Sequence, residues 1–297
     1  MSVRQHWFKL QEFLLRFAAS GLFPARWIYN VPAKPALEQP TGRPDTIEIV
    51  SHCWNYSHLL RYQLQSLIDN APSDLQITHT VFYSDQDKET VALLRSVESG
   101  SSETIEWNFI ALPTEDLLRR AIGRNMAAKN TRADWIWFTD CDLIFGAETF
   151  SSLKEALTGQ DSILVFPGTV SRTSLLSQED EMLHGDKFSA EDCLNRDCVK
   201  QHTFEKATGP VQIVRGDIAR EYGYCEQLDC YQQPKERWVK TYEDRTFRWL
   251  LGTHGQAVEV DDVGIIRHVE KGRYNKSSSL PKLRKANRRL KDKLLAR

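Results

Sequence analysis

The stretch Asp134–Gly146 reads DWIWFTDCDLIFG and contains the pattern that decides the fold. Its first half is a short, nearly continuous apolar run, which is typical of a strand buried on both faces of a parallel sheet. The run ends directly in Asp140-Cys141-Asp142. Open α/β sheets bind their ligands at the carboxyl ends of the strands. The pattern therefore predicts a buried strand with two carboxylates at the functional edge of a sheet.

Strand and helix patterns alternate on both sides of this stretch. The predicted strands are 46–51, 78–84, 104–111, 134–139, 163–166, 210–214 and 257–260. The predicted helices are 58–70, 88–97, 115–130 and 242–251. The polar range 171–208 is interpreted as an insertion or mobile loop. This alternation predicts an α/β fold with a mixed, mostly parallel sheet flanked by helices.

Charge is distributed unevenly along the chain. The 297 residues carry 39 Lys and Arg against 40 Asp and Glu, a formal charge of −1. Residues 271–297 contain eleven basic residues and one acid, a net of +10, which leaves residues 1–270 at −11. The basic tail suits an anionic membrane surface or a nucleic-acid-binding arm. Because no nucleic-acid fold signature accompanies it, no nucleic-acid partner is predicted.

Composition narrows the class of protein. An apolar content of 41% excludes global disorder, and no apolar run reaches the about 18 residues of a membrane-spanning helix. The six cysteines fit free thiols in a reducing compartment. The pairs Cys193/Cys198 and Cys225/Cys230 are only a weak zinc signal, since their spacing is wider than usual. The prediction is a cytoplasmic protein, with the inner face of the cell membrane as a candidate peripheral location.

Residues 4–20 predict a basic amphipathic helix, because large apolar side chains recur there at helical spacing. Such a helix can lie on an anionic membrane or dock on the rest of the protein or on a partner, and the sequence leaves these alternatives open. A Pro-rich linker follows at 31–44. The predicted organisation is a helix and linker at 1–44, a catalytic domain at 45–274 and a basic tail at 275–297.

Asp140 and Asp142 are candidate metal ligands. Two dry, unpaired carboxylates one residue apart would repel each other, and a divalent cation removes that repulsion. Oxygen ligands suit Mg²⁺ or Mn²⁺, and such an ion can also stabilise the charge of a leaving diphosphate. The structural alternative is that the pair only begins a turn, where Asp is common.

Three further positions carry candidate chemistry. Arg124, in Gly123-Arg124-Asn125, precedes the strand that ends in Asp-x-Asp, and its guanidinium supplies several charged hydrogen-bond donors. Glu243 and Asp244 supply adjacent carboxylates at a helix start, and His268 supplies an imidazole after a short strand. Each has a structural alternative, since first-turn acids complement a helix dipole and a lone histidine is often part of a core.

Taken in this order, the motifs resemble those of nucleotide-sugar glycosyltransferases of the GT-A fold. The resemblance is to the catalytic region of the beta-1,4-galactosyltransferase family and to family-two bacterial glycosyltransferases. The segments that carry it are DCDLI at 140–144, GPVQIVRG at 209–216, Glu243-Asp244 and IIRHVEKGR at 265–273. It covers about residues 48–274 and leaves both ends of the chain unaccounted for.

The resemblance implies a metal site and a donor. Asp142 and His268 would bind Mn²⁺ or Mg²⁺, and Asp140 would contact the nucleotide ribose or complete the metal shell. The family has a Met three residues before the His, where this chain has Ile265, which cannot coordinate. The nucleotide or water would then supply more of the ligands.

The resemblance also implies catalytic and nucleotide-binding residues. Asp244 would be the general base that deprotonates the acceptor hydroxyl, and Glu243 beside it would bind the acceptor. The implied contacts to the nucleotide are Ser51, Asn55, Asp85 and Arg124, with Asp87 as the alternative to Asp85.

The predicted function is metal-dependent, inverting transfer of a sugar from a UDP-sugar to a glycan or lipid-linked glycan acceptor, in bacterial surface polysaccharide synthesis. A retaining transferase on the same fold is one alternative, because the motifs do not determine stereochemistry. A catalytically silent protein that binds sugar nucleotides or glycans is another.

Overall fold

The computed structural model describes residues 3–33, 41–99, 104–177, 179–184, 189–195, 199–236 and 242–268. The basic tail at 275–297 and part of the linker, 34–40, lie outside the described residues. The predicted division into helix and linker, catalytic domain and tail therefore stays a prediction.

Within these described ranges, the strands form a seven-stranded sheet and a four-stranded sheet. In chain order they are β1 (Thr46–His52), β2 (Gln76–Tyr83), β3 (Ile105–Ala111), β4 (Trp135–Phe138), β5 (Leu143–Phe145), β6 (Leu164–Pro167), β7 (Thr169–Arg172), β8 (Lys200–Thr203), β9 (Gln212–Arg215), β10 (Gln256–Val258) and β11 (Val263–Ile265).

The seven-stranded sheet has the order β10-β6-β9-β4-β1-β2-β3. Strands β4, β1, β2 and β3 run parallel, and β9 runs antiparallel between β4 and β6. All four residues of β4 are fully buried, which explains the continuous apolar run in the sequence. The mixed, mostly parallel sheet confirms the predicted α/β class.

The helices that flank the sheets are α1 (Val3–Phe17), α2 (Ser57–Asn70), α3 (Lys88–Glu98), α4 (Thr114–Leu117), α5 (Arg120–Asn130), α6 (Thr149–Leu157), α7 (Ala190–Leu194), α8 (Gly216–Tyr222) and α9 (Glu243–Leu250). Three predicted helices agree with α2, α3 and α9 to within two residues. The predicted helix 115–130 is instead two helices, because the backbone leaves helical geometry at Arg119 (φ −108°, ψ 88°).

The range 171–208 differs from the predicted insertion or loop. Its described part contributes β8 and α7, and β7 ends within it. β7 and β8 pair antiparallel, and β7 also pairs with β11, which completes the small sheet β5-β11-β7-β8. The loop interpretation was wrong for these residues because β8 reads KQHT and lacks the apolar alternation by which strands are recognised.

Helix α1 docks on the domain by one face. Leu15 is buried, Phe8 packs against the main core, and Glu12 forms ion pairs with Arg119 and Lys235. The opposite face of α1 is exposed and apolar. Among the described residues, no helix has both the length and the apolar character needed to cross a bilayer.

Candidate active site at the carboxyl end of the sheet

The Asp-x-Asp segment is held in place by hydrogen bonds to β1 and to helix α2, which follows β1. Thr139 continues the ladder past β4 by donating its N–H to the carbonyl of Val50 at 2.9 Å. The side chain of Gln63, on α2, donates to the carbonyls of Asp140 (3.1 Å) and Leu143 (3.3 Å). Two backbone carbonyls around the motif are therefore anchored by one buried amide.

Ser51 belongs to this support. It is fully buried, and its hydroxyl donates to the Oε1 atom of Gln63 at 2.6 Å. This bond orients the amide that holds the motif. The structure thus places Ser51 beneath the motif backbone, and its predicted contact with the nucleotide stays a prediction.

Asp140 lies against two arginines of α5. Its Oδ1 atom forms an ion pair with Arg120 and lies 3.7 Å from Nη2 of Arg124. Desolvation by itself would lower the pKa of Arg120, but nearby carboxylates, Asp140 foremost, raise it above its ordinary value. Arg120 therefore stays charged, and Asp140 has a fixed cationic partner. The sequence prediction missed Arg120, although it lies one helical turn before Arg124 on the same face.

Arg124 connects three segments rather than standing open to a ligand. Its Nη1 donates to the Tyr224 hydroxyl at 2.9 Å, and its Nη2 donates to the carbonyls of Gly209 (2.9 Å) and Thr139 (3.2 Å). The side chain is almost completely buried. Arg124 therefore fixes the end of β4 against the loop before β9, and its predicted contact with uracil or diphosphate stays a prediction.

Gly123 allows α5 to lie this close to the sheet. A Cβ atom at this position would lie 2.4 Å from Nε2 of His52 and 2.9 Å from the ring of Phe82. The first of these contacts is shorter than any hydrogen bond between heavy atoms. Only glycine lets Arg120 and Arg124 approach the strand ends at this depth.

His52, at the end of β1, is a further buried group that the prediction did not assign. It stacks on Phe82 with ring centroids 5.0 Å apart, and neither ring nitrogen has a hydrogen-bond partner among the described residues. Burial, and then the charges of Arg124 and Arg120, lower the pKa of His52 well below its ordinary value. A neutral imidazole therefore lies beside the arginines of the site.

Strand β11 brings His268 toward the Asp-x-Asp segment. β5 and β11 pair antiparallel, and the N–H of Ile266 donates to the carbonyl of Asp142 at 2.9 Å. Asp142 is partly exposed, whereas His268 is buried with the edge of its ring toward Tyr56 at a centroid distance of 5.3 Å. Ile265 pairs with Leu143 and is buried.

The donor set fits a divalent cation in part. Asp140 and Asp142 supply the carboxylate oxygens that Mg²⁺ and Mn²⁺ prefer. Within the described ranges, however, no group of three or more His, Cys, Asp or Glu side chains could hold a metal ion. A cation at this edge would therefore need oxygens from a nucleotide or from water. The assignment of Asp142, His268 and Asp140 as ligands stays a prediction.

Glu243 and Asp244 begin α9 and have different surroundings. Glu243 is buried, and its Oε1 atom accepts a hydrogen bond from Nη1 of Arg119 at 3.0 Å. The side chain of Asp244 is 34% exposed, and its Oδ2 atom lies 3.9 Å from Nη1 of Arg248. Asp244 therefore presents an accessible carboxylate. Glu243 is engaged by Arg119, so its predicted contact with an acceptor stays a prediction.

Gly209 links the two carboxylate regions. Its carbonyl accepts from Arg124, which in turn lies 3.7 Å from Asp140. A Cβ atom at Gly209 would lie 4.0 Å from the Cβ atom of Asp244. Asp140 and Asp244, which are far apart in sequence, are thus neighbours across a single glycine and a single arginine.

Asn55, Asp85 and Asp87 lie in the loops after β1 and β2. Asn55 is exposed in a left-handed conformation (φ 57°), and its backbone N–H donates to Oδ2 of Asp87 at 2.6 Å. Asp87 also accepts from the N–H and hydroxyl of Thr90 and so caps α3. Asp85 is exposed. Asp87 therefore joins the two loops, while Asn55 and Asp85 are accessible to a ligand and remain predicted nucleotide contacts.

Comparison with known proteins gives a family match. The model of the family described as "Glycosyl transferase family 2" matches residues 48–203, which is more than half of the chain and includes the Asp-x-Asp segment. No curated protein matches the sequence significantly.

The solved structures that match this chain include S. aureus TarS and the mannosyltransferase PcManGT. The structure of residues 1–349 of S. aureus TarS with UDP-GlcNAc has 13% identity and a TM-score of 0.48, and the match covers 78% of this chain and 61% of that one. The same TarS fragment in a further crystal structure has 14% identity and a TM-score of 0.44, with coverages of 75% and 60%. This chain therefore spans less than two thirds of the TarS fragment.

A mannosyltransferase from Pyrobaculum calidifontis, solved with GDP-Man and Mn²⁺, has 14% identity and a TM-score of 0.45, and the match covers 98% of this chain and 73% of that one. The narrower resemblance to the beta-1,4-galactosyltransferase family finds no support in these matches. The family match confirms the predicted resemblance to family-two enzymes, and the chain belongs to glycosyl transferase family 2.

Proposed function

We propose that this protein transfers a sugar from a UDP-sugar to a hydroxyl of a glycan or lipid-linked glycan, with a divalent cation and with inversion at the anomeric carbon. The observation that carries the proposal is the closeness of Asp140 and Asp244 through Arg124 and Gly209. One carboxylate is paired with cations of the protein, and the other is accessible.

The donor end of the site would be the edge formed by the loops after β1, β2 and β4. Asp85 and Asn55 are exposed there and would contact the nucleotide. Asp142 and Asp140, with His268 as a third candidate, would hold Mn²⁺ or Mg²⁺, which neutralises charge on the diphosphate when bound. Arg120 pairs with Asp140 and orients its carboxylate.

The acceptor end would be the start of α9. An inverting transfer needs a base that takes the acceptor proton on the face opposite the leaving diphosphate. Asp244 is suited to this task because its carboxylate is accessible and lies beyond ideal hydrogen-bond distance from Arg248. Glu243 would position the start of α9 through its buried pair with Arg119.

The test begins with a panel of UDP- and GDP-sugars, measured for transfer or hydrolysis with Mn²⁺, with Mg²⁺ and with EDTA. Asp142→Ala should abolish metal-dependent donor binding. Asp244→Asn should retain donor binding and lower kcat by about 10²- to 10⁴-fold, the usual contribution of a general base. Asp69→Asn is the control, because Asp69 is an exposed acid on α2 that accepts a hydrogen bond from Gln65 in its own helix.

The product anomer decides between inversion and retention. Full activity of the Asp142→Ala and Asp244→Asn variants would contradict the proposal. Retention of configuration would contradict only the role of Asp244 as the base of a single displacement. Donor binding without any turnover by the parent protein would favour the silent binding protein instead.

A further inference from the structure

The exposed apolar residues of this protein are concentrated in one place. Among the described residues, seven of the nine large apolar side chains that are strongly exposed lie in the segment 7–28. We call these seven side chains the α1 surface: Trp7, Leu10, Phe13, Leu14, Phe17, Trp27 and Ile28. Their exposed fractions run from 47% to 71%. A cluster of this kind marks an interaction site.

The charges beside the α1 surface are of one sign. The described segment 3–33 contains four Lys and Arg residues and a single acid, Glu12. The cationic residues Arg4, Lys9, Arg16 and Arg26 are all exposed. Glu12 points the other way, because its carboxylate is paired with Arg119 and Lys235 of the domain. The outward face thus combines aromatic and Leu side chains with cations and presents no carboxylate.

We propose that the α1 surface seats the protein on an anionic phospholipid bilayer, so that the acceptor end of the site meets a lipid-linked acceptor. Trp, Phe and Leu on one face with Lys and Arg at its sides are the composition of helices that lie in the membrane interface. Anionic headgroups complement the exposed cations Arg4, Lys9 and Arg26. A second copy of the chain fits less well, since a two-fold interface would place these cations against each other.

The docked face of α1 explains which end of the site meets the bilayer. Arg119 bridges Glu12 of α1 to Glu243, the residue next to Asp244. Arg16, at the end of α1, lies over the ring of Tyr242 at 4.9 Å, directly before α9. The helix that would touch lipid is therefore fixed to the segment that carries the proposed base. This identification of the acceptor as lipid-linked rests on the proposed function, whereas the membrane contact does not.

The membrane contact is tested by flotation of the full chain with phosphatidylglycerol vesicles and with phosphatidylcholine vesicles. The tail at 271–297 has a net charge of +10 by sequence and can itself attract anionic vesicles. The measurement is therefore repeated in about 1 M salt, where the Debye length is about 3 Å and attraction between exposed charges is screened. Apolar insertion persists under these conditions.

Leu14→Glu should weaken binding to phosphatidylglycerol vesicles by about tenfold or more, because it removes one buried Leu side chain from the interface. Trp27→Glu should weaken binding in the same way. Because Trp27 lies outside α1, this second variant shows whether the effect of Leu14→Glu comes only from misfolding of α1. Ile68→Glu is the matched control, since Ile68 is an exposed aliphatic side chain (47%, against 54% for Leu14) but lies on α2. It should bind like the parent protein.

Equal flotation of the parent and the Leu14→Glu variant at high salt would overturn the proposal. So would a dimer that Leu14→Glu dissociates in solution without any change in flotation, because the α1 surface would then contact a second copy. Transfer to an acceptor in vesicles should fall in the Leu14→Glu variant while hydrolysis of the donor sugar nucleotide is unchanged. Loss of both activities would count against the proposed function or the fold of the variant, and flotation would still report on the membrane contact.

Discussion

The end of β4 and the start of α9 each present a pair of carboxylates, and the two pairs are built alike. In each pair one member is bound by an arginine: Arg120 binds Asp140, and Arg119 binds Glu243. The other member, Asp142 or Asp244, is partly exposed. Two consecutive residues, at the break between α4 and α5, thus hold both regions.

The difference between the two regions lies in burial. The side chains of Arg119 and Glu243 are almost completely buried, whereas those of Arg120 and Asp140 are 24% and 33% exposed. A buried pair is costly to break, and a partly exposed pair can still contact a ligand. The comparison therefore predicts that loss of Arg119 affects mainly the stability of the fold and that loss of Arg120 affects mainly the binding of donor.

The largest expected effect is on stability. Arg119→Met leaves the carboxylate of Glu243 buried without its partner and should lower the free energy of unfolding by about 3–5 kcal/mol. The double variant Arg119→Met/Glu243→Met should recover much of this loss, since no charge then remains at position 243 and Glu12 keeps its pair with Lys235. Denaturant unfolding measures both variants. If Arg119→Met lowered the free energy of unfolding by less than about 1 kcal/mol, the conclusion that the fold depends on this buried pair would be wrong.

The next effect is on donor binding. Arg120→Gln removes a charged hydrogen bond to Asp140, which is worth about 1.5–3 kcal/mol, and should raise the donor KM by about tenfold to a hundredfold. Lys129→Gln is the control on the same helix, because Lys129 makes an exposed pair with Glu226. Steady-state kinetics with varied donor and varied acceptor separate the outcomes. An increase in the acceptor KM alone would contradict the prediction that Arg120 supports the binding of donor.

Low pH should destabilise the folded protein through His52, which lies near the end of β4. Because the pKa of His52 is lowered in the folded protein, the unfolded chain binds a proton more readily. The free energy of unfolding should therefore fall as pH drops below about 6.5, by up to about 1.4 kcal/mol per pH unit. His79, whose pKa burial lowers to about 3, contributes in the same direction from the core of β2.

The two histidines can be separated by unfolding curves between pH 5 and pH 7.5. Both His52→Gln and His79→Gln should reduce the dependence of stability on pH. Only His52→Gln should also change the donor KM itself, since only His52 faces Arg120 and Arg124. If both variants changed the donor KM equally, a specific contribution of His52 to donor binding would be ruled out.

The smallest expected effect concerns Ser51. Ser51→Ala removes its hydrogen bond to Gln63 and should cost about 1 kcal/mol of stability, with the donor KM changed by about threefold at most. Ser96→Ala is the control, because its hydroxyl donates to a carbonyl on the exposed side of α3. A large rise in the donor KM with unchanged stability would restore the direct nucleotide contact that the resemblance implies.

The sequence alone was sufficient for the parallel core and for the Asp-x-Asp motif at its edge. The buried strands have continuous apolar runs, and carboxylates after such a run have few structural uses. It was not sufficient for β5, β7, β8 and β11, because these short strands gain their stability from pairing with one another across the small sheet, between segments distant in sequence. The pairing of such short strands is decided by tertiary contacts rather than by the local sequence pattern.

The roles of the site residues were less predictable than their positions. Ser51, Arg124 and Glu243 were selected for polar chemistry, yet all three are buried and bonded to protein groups. Burial of a polar side chain depends on what packs over it, which no local pattern records. Arg119 and Arg120 were missed because the prediction placed both inside one continuous helix, where consecutive side chains point to different sides and no break is visible.

The pairing of β5 with β11 has a consequence for how the protein is made. Leu143 and Ile265 are partners in this ladder, so the strand that contains Ile265 leaves the ribosome more than a hundred residues after the motif it completes. During that interval the two aspartates at the end of β4 lack the neighbour that brings His268 toward them. Contacts of such long sequence separation form late and slowly. In a nascent chain the carbonyl of Asp142 would therefore gain its hydrogen-bond partner, the N–H of Ile266, only after most of the main sheet has been synthesised.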